Sequence, residues 1–335
     1  MTGCSAGQYD VVGKMKSFHS AAYISNKGDI AAYDGFDKLN VISPEGTNRK
    51  VDFSKSAKGY VFTIDASPKR NRVMYLDNSK NGENQQVRNK VALWEMDIKT
   101  GDVFQCCVLP SRVERFLYSP NGKQVAAIVN SNLKSSLRLI NIKDGILKHI
   151  KLKAGAVYYL LSWSRSGEYI YCAQETDSEL EVLQFSLKDG KEASIWGVSR
   201  KDATGITGQP AVIDGSRILY ITQSGKAVLM RNTGSIIHSV ELPNHAEVQV
   251  FSIGISDSGR YAAVEYESAG PVQNITFIDL DSMKVSNHST KLQKAGIPDL
   301  EFINWHPSRN KALIGAIEES GAELREYRMN EQNRQ

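Results

Sequence analysis

A turn signal followed by a short apolar strand recurs seven times along this chain, and few folds accommodate such a repeat. Tyr118-Ser119-Pro120-Asn121-Gly122 leads into Val125-Ala126-Ala127-Ile128. Trp163-Ser164-Arg165-Ser166-Gly167 leads into Tyr169-Ile170-Tyr171, and Ile255-Ser256-Asp257-Ser258-Gly259 into Tyr261-Ala262-Ala263-Val264. Looser copies are Ser25-Asn26-Lys27-Gly28, Ser67-Pro68-Lys69-Arg70, Ile213-Asp214-Gly215 and His306-Pro307-Ser308-Arg309. The copies start near 25, 67, 119, 164, 212, 256 and 306, at intervals of 42 to 52 residues. A period of this size marks an array of supersecondary units.

Within each period a second signal follows, an alternating strand closed by a polar turn. Leu137 to Gly145 and Val182 to Gly190 show it, and a further short strand comes after, as in Ile146 to Leu152 or Ile236 to Leu242. Period-two alternation between Gly, Asn and Asp turns is the antiparallel hairpin signal. Each unit is therefore four short antiparallel strands, with no convincing helix. Such a unit has two apolar faces and cannot cover both alone, so seven of them pack radially into an all-β, seven-bladed β-propeller.

The last repeat supplies only three strands, Leu300 to Trp305, Ala312 to Ala316 and Leu324 to Met329. The missing outer strand is expected from the other terminus, at Tyr9 to Met15, which would remove an open sheet edge. Residues 1–8 are then a flexible N-terminus, residues 9–330 a single propeller and residues 331–335 a polar tail. Ser-Pro-Asn-Gly before an apolar strand, with a later Ile-x-x-x-x-Gly strand, resembles the WD-type blades of TolB-like propellers. The resemblance runs from Phe18 to Met329 at blade level and implies a fold more than a role. No Trp-Asp pair ends a strand, which sets the chain apart from regulatory WD repeats.

Met1-Thr2-Gly3-Cys4-Ser5-Ala6-Gly7 resembles the end of a bacterial lipoprotein signal, where a small residue precedes a Cys that is lipidated. The resemblance implies a lipid anchor at Cys4 and a place in the periplasm or on the outer membrane; without lipidation the expectation is cytoplasmic. No apolar run is long enough for a membrane helix. The 41 Lys and Arg against 37 Asp and Glu leave a charge of +4, far from the basic balance of a dedicated nucleic-acid binder.

Signatures of catalysis are missing. The chain has no Gly-x-Ser-x-Gly, no phosphate-binding Gly-x-x-x-x-Gly-Lys and no His-Glu-x-x-His, and its six histidines are scattered. The stretch Asp77 to Glu83 begins like a calcium loop but has Arg88 where a bidentate Glu is required. Neither a cofactor nor a metal is expected. Cys106 and Cys107 are adjacent in an apolar run, where alternation would send one inward and one outward.

Charge is the best clue to function. Turns between first and second strands carry Lys27, Lys69, Arg70, Arg72, Lys123, Arg165, Arg217, Arg260, Arg309 and Lys311 against few acids. Turns on the other face carry Asp34, Asp37, Asp77, Glu83, Glu175, Asp177, Glu179, Glu265, Glu267, Glu318 and Glu319. The expectation is a disc with one basic and one acidic face, which would steer a partner. Blade connections on the acidic side add aromatics, Tyr60 and Tyr158 among them, which serve either as contact anchors or as strand-end core residues. The long polar segments Asp77 to Asn89 and Ser199 to Gln209, with Lys201 and Asp202, are expected contact loops. The function read from this is a non-catalytic platform for a protein partner. The competing reading is a hydrolase or lyase with a metal-assisted site in the axial channel.

Overall fold

In the computed structural model the described residues are 9–15, 20–34, 38–52, 61–67, 71–77, 90–110, 113–131, 134–203, 205–243, 247–268, 272–287, 299–318 and 321–329. They form seven sheets of four strands each, all antiparallel. Strand β1 (Tyr9–Met15) comes first. Blade 1 holds β2 (Ser20–Tyr23), β3 (Ile30–Tyr33), β4 (Lys38–Ile42) and β5 (Asn48–Asp52). Blade 2 holds β6 (Val61–Ser67), β7 (Arg72–Asp77), β8 (Lys90–Asp97) and β9 (Val103–Pro110). Blade 3 holds β10 (Val113–Tyr118), β11 (Gln124–Ser131), β12 (Lys134–Asn141) and β13 (Gly145–Lys151). Blade 4 holds β14 (Val157–Trp163), β15 (Tyr169–Glu175), β16 (Glu179–Ser186) and β17 (Glu192–Ser199). After a short helix α1 (Arg200–Ala203), blade 5 holds β18 (Ile206–Val212), β19 (Arg217–Thr222), β20 (Lys226–Arg231) and β21 (Ile236–Glu241). Blade 6 holds β22 (Gln249–Ile255), β23 (Tyr261–Ser268), β24 (Val272–Asp279) and β25 (Lys284–Asn287). Blade 7 holds β26 (Asp299–Trp305), β27 (Lys311–Glu318) and β28 (Gly321–Arg328), and β1 is its outer strand.

The first strand of each blade is the inner one. Consecutive inner strands touch, and β2 touches both β6 and β26, so the ring is closed around an axial channel. The clasp expected at Tyr9 to Met15 is present, with Tyr9 opposite Tyr327 and Met15 opposite Ala322.

The repeated turn owes its residues to local hydrogen bonding. In blades 3, 4 and 6 the hydroxyls of Ser119, Ser164 and Ser256 each accept the N–H five residues on, at 3.0 Å. The Gly three residues after each serine donates its N–H to that serine's carbonyl, and Gly122, Gly167 and Gly259 have φ of 67°, 73° and 68°. Only glycine reaches that region without strain. In blade 7 the imidazole of His306 takes the serine's place, its Nδ1 accepting from the Ser308 N–H. His306 is buried, which pushes its pKa down to about 4.

Blades are joined by apolar packing. There is one hydrophobic cluster at each of the seven joints, from Ile24, Tyr33, Val73 and Tyr75 between blades 1 and 2 to Tyr23, Ile42, Leu313 and Leu324 between blades 7 and 1. Neither face of a blade is left to water, as the two-faced repeat requires.

At three of the joints, three equivalent positions add a polar or aromatic latch. Between blades 2 and 3, the hydroxyl of Tyr118 donates to Glu95 Oε1 at 2.9 Å and Arg72 pairs with Oε2 at 2.8 Å. Between blades 7 and 1, Tyr23 donates to Glu326 Oε1 at 3.0 Å and Lys311 pairs with Oε2 at 2.6 Å. Between blades 6 and 7 the same positions hold Tyr261, Phe277 and Trp305, with Phe277 edge-on to Trp305 at 5.8 Å. Trp305 also donates its indole N–H to the Gly254 carbonyl, as Trp163 does to Leu117. A side chain on Gly254 would collide with the Phe302 ring.

Two expectations need correction. Cys106 is the extra residue of a β-bulge, so both adjacent cysteines are half-buried against one cluster rather than on opposite faces. Both are free thiols, and burial pushes that of Cys107 up to about 11. The segment Ser199 to Gln209 is not an open loop. Ser199 ends β17, its hydroxyl accepts the Asp202 N–H at the start of α1, and β18 begins at Ile206.

Candidate functional site

Inner-strand bulges shape the channel. In blades 2 to 7 the register between the inner strand and its neighbour slips once, for example at Val113/Arg115, Val250/Ser252 and Phe302/Asn304. A bulge bends the strand and re-aims side chains. In blade 6 it leaves Phe251 47% exposed. In blade 3 it leaves Arg115 solvent-exposed, with a bond from its guanidinium to the Leu160 carbonyl at 3.3 Å.

The upper face carries the turns between first and second strands and also those between third and fourth. The expected basic face overlooked the latter, and they bring acids. Arg260 pairs with Asp279 at 2.8 Å and with Asp281 at 3.8 Å, and Arg217 with Asp214 at 2.8 Å and Asp281 at 3.9 Å. Arg72 reaches Asp97 at 3.4 Å as well as Glu95. Arg165 bridges blades 4 and 6 by donating to the Asp257 carbonyl. Much of the upper positive charge is thus used internally; Lys69 and Arg70 lie outside the described residues.

The lower face has a different balance. Asp177, Asp202, Glu247 and Glu267 are on it, with Glu175 at the end of β15 and Lys201 in α1. Asp177, Glu247 and Glu267 pair with no cation among the described residues. Val157, 46% exposed, opens β14 at this end and faces Glu175 in the ladder, while Gln249 opens β22 opposite Glu267.

Two of the expected contact residues lie inside the fold. Tyr158 is fully buried, its hydroxyl donating to Gln174 at 2.9 Å and accepting the Lys153 N–H at 3.0 Å, so it is a strand-end core residue and not a contact anchor. Glu265 is buried between blades 6 and 7, because β23 turns it inward. It accepts from Ser252 at 2.9 Å, and burial, with the nearby Glu301, pushes its pKa up to about 7. Asp77 ends β7, and nothing is described of its side chain or of that of Glu318. Cys4, Tyr60, Glu83, Arg88 and Glu319 lie outside the described residues. The bulges and the channel arginine carry no sequence signal beyond an inner strand one residue too long.

Among the described residues no three His, Cys, Asp or Glu side chains gather to hold a metal, so nothing here supports the metal-assisted alternative. Of the histidines, His149 and His238 are exposed and His306 is locked in its turn.

The chain matches no protein-family model and no curated protein. Solved structures do resemble it. The β-propeller domain of Cps50 (Swd1) from Myceliophteria thermophila aligns with a TM-score of 0.64 at 13% identity, covering 96% of this chain and 100% of that one. The CNH domain of AfRom2 aligns with a TM-score of 0.59 at 9% identity, covering 97% and 100%. At such identities the likeness shows the fold: a seven-bladed β-propeller related in architecture to other propeller domains.

Proposed function

We propose that this propeller is a non-catalytic platform that holds a protein partner on its lower face. The observation that carries the reading is the contrast between the two ends of the channel. On the upper face Arg72, Arg217, Arg260 and Lys311 are paired with carboxylates, whereas on the lower face Asp177, Glu247 and Glu267 pair with no cation among the described residues, and Val157 is exposed at that end. A partner surface with basic residues around an apolar anchor complements that arrangement, and a rigid scaffold lowers the entropy lost on binding. The blade-level likeness to TolB-like propellers belongs to this proposal, as does a cell-envelope lipoprotein with its lipid on Cys4.

A photo-crosslinking amino acid placed at Asp177 in native cells is expected to trap a discrete protein adduct. Glu267→Lys should lower its yield about tenfold, equivalent to about 1.4 kcal/mol, with a nearly unchanged melting temperature, since the half-buried Glu267 pairs with no cation among the described residues. An undiminished adduct would remove the acidic rim from the account. The lipid is tested separately, by the mass of the N-terminal peptide of protein made in its native cells with its full upstream sequence. A diacylglyceryl increment on Cys4 is expected; an unmodified Cys4 rejects the envelope assignment.

A further inference from the structure

We propose that Arg115 is the recognition group of a carboxylate-binding site inside the axial channel. Its strand, β10, is the innermost of blade 3, and the side chain follows a bulge that leaves it reached by solvent, although Phe116 beside it is buried. A guanidinium has five N–H donors. Among the described residues Arg115 makes one such bond, to the Leu160 carbonyl of blade 4 at 3.3 Å. From blade 2, Asp65 is the carboxylate in electrostatic reach. Its two oxygens are already committed, Oδ1 to the Ala66 N–H at 2.8 Å and Oδ2 to the Tyr118 N–H at 2.9 Å. Among the described residues no carboxylate comes within ion-pair distance of Arg115.

The site is a forked cation in a water-accessible tunnel whose nearest counter-charge is occupied in holding the next blade. A planar carboxylate accepts two parallel N–H bonds from such a fork. The carboxylate comes either from a small organic acid or from the C-terminus of a peptide entering the channel. This inference does not depend on the lower-face platform.

The test is a side-chain NMR titration of the full chain labelled with ¹⁵N-arginine, at constant ionic strength. Sodium acetate, triglycine and triglycine amide are the probes. The Nε–H resonance missing from Arg115→Gln is expected to shift saturably with acetate and with triglycine, and not with the amide. Tighter binding of triglycine identifies a peptide C-terminus as the source, and equal binding a small acid. Arg115→Lys keeps the charge without the fork and should bind acetate more weakly than wild type, which keeps the test valid if the glutamine variant does not fold. An Arg115 resonance unmoved by millimolar acetate, or moved equally by chloride, overturns the proposal.

Discussion

Glu95→Ala is expected to cost about 3 kcal/mol of stability, the lower end of what losing one partner of a buried ion pair does. Glu95 is fully buried and holds two blades at once, through Arg72 of its own and Tyr118 of the next. Its removal strands the Tyr118 hydroxyl, while Arg72 keeps Asp97 at 3.4 Å. Urea denaturation with an unchanged slope and a lowered midpoint would report the loss. The triple variant Arg72→Tyr, Glu95→Phe, Tyr118→Trp copies the aromatic set that fills the equivalent positions between blades 6 and 7, and should recover most of it. Well-packed apolar groups commonly replace a buried ionic set at no cost. If Glu95→Ala unfolds at the wild-type midpoint, the latch contributes geometry alone.

Stability should fall as pH rises through the range set by Glu265. Its folded pKa of about 7 lies above the ordinary 4.5, so the fold favours the protonated acid. Below pH 4.5 the acid is neutral in both states and its contribution is complete. Between 4.5 and 7 the unfolded chain ionises first, and about 3 kcal/mol is lost, at about 1.4 kcal/mol per unit. Glu301, also raised by burial, acts in the same sense. His306 acts in the opposite sense: a buried base with its pKa pushed down to about 4 loses stability as pH falls from 6.5. The informative quantity is therefore the difference between wild type and Glu265→Gln. The variant should gain on the wild type steadily up to pH 7 and keep its advantage above that. A constant difference from pH 4 to pH 8 would show that Glu265 is solvated in the fold.

The blades were legible because their signal is local. Ser119, Ser164 and Ser256 each satisfy an N–H five residues away, and a glycine in the left-handed region closes the same turn, so the chemistry lies within one stretch of sequence. The clasp followed by counting, three strands at one end and a spare at the other. What stayed hidden depends on residues brought together from different blades. Glu95 and Tyr118 look unrelated along the chain, and Glu265 reads like any acid near a strand end until Ser252 and Glu301 surround it. Whether Tyr158 is an anchor or a core residue is not legible in the sequence, because a bulge within β14 makes strict alternation unreliable there. The polarity of the upper face was overstated because one turn of each blade was counted and the other, on the same side, was not.

The clasp also fixes an order of events in time. Strand β1 leaves the ribosome before every strand of the seven blades it helps to close, yet its hydrogen-bonding partner β28 lies roughly 300 residues later. At about 5–20 residues per second, roughly 15–60 s pass before that partner exists. Throughout that interval the nascent chain carries an unpaired strand edge that no part of its own sequence can yet cover. Premature termination anywhere before Gly321 leaves the same edge open permanently, so truncated products of this chain are the species most prone to pair with one another.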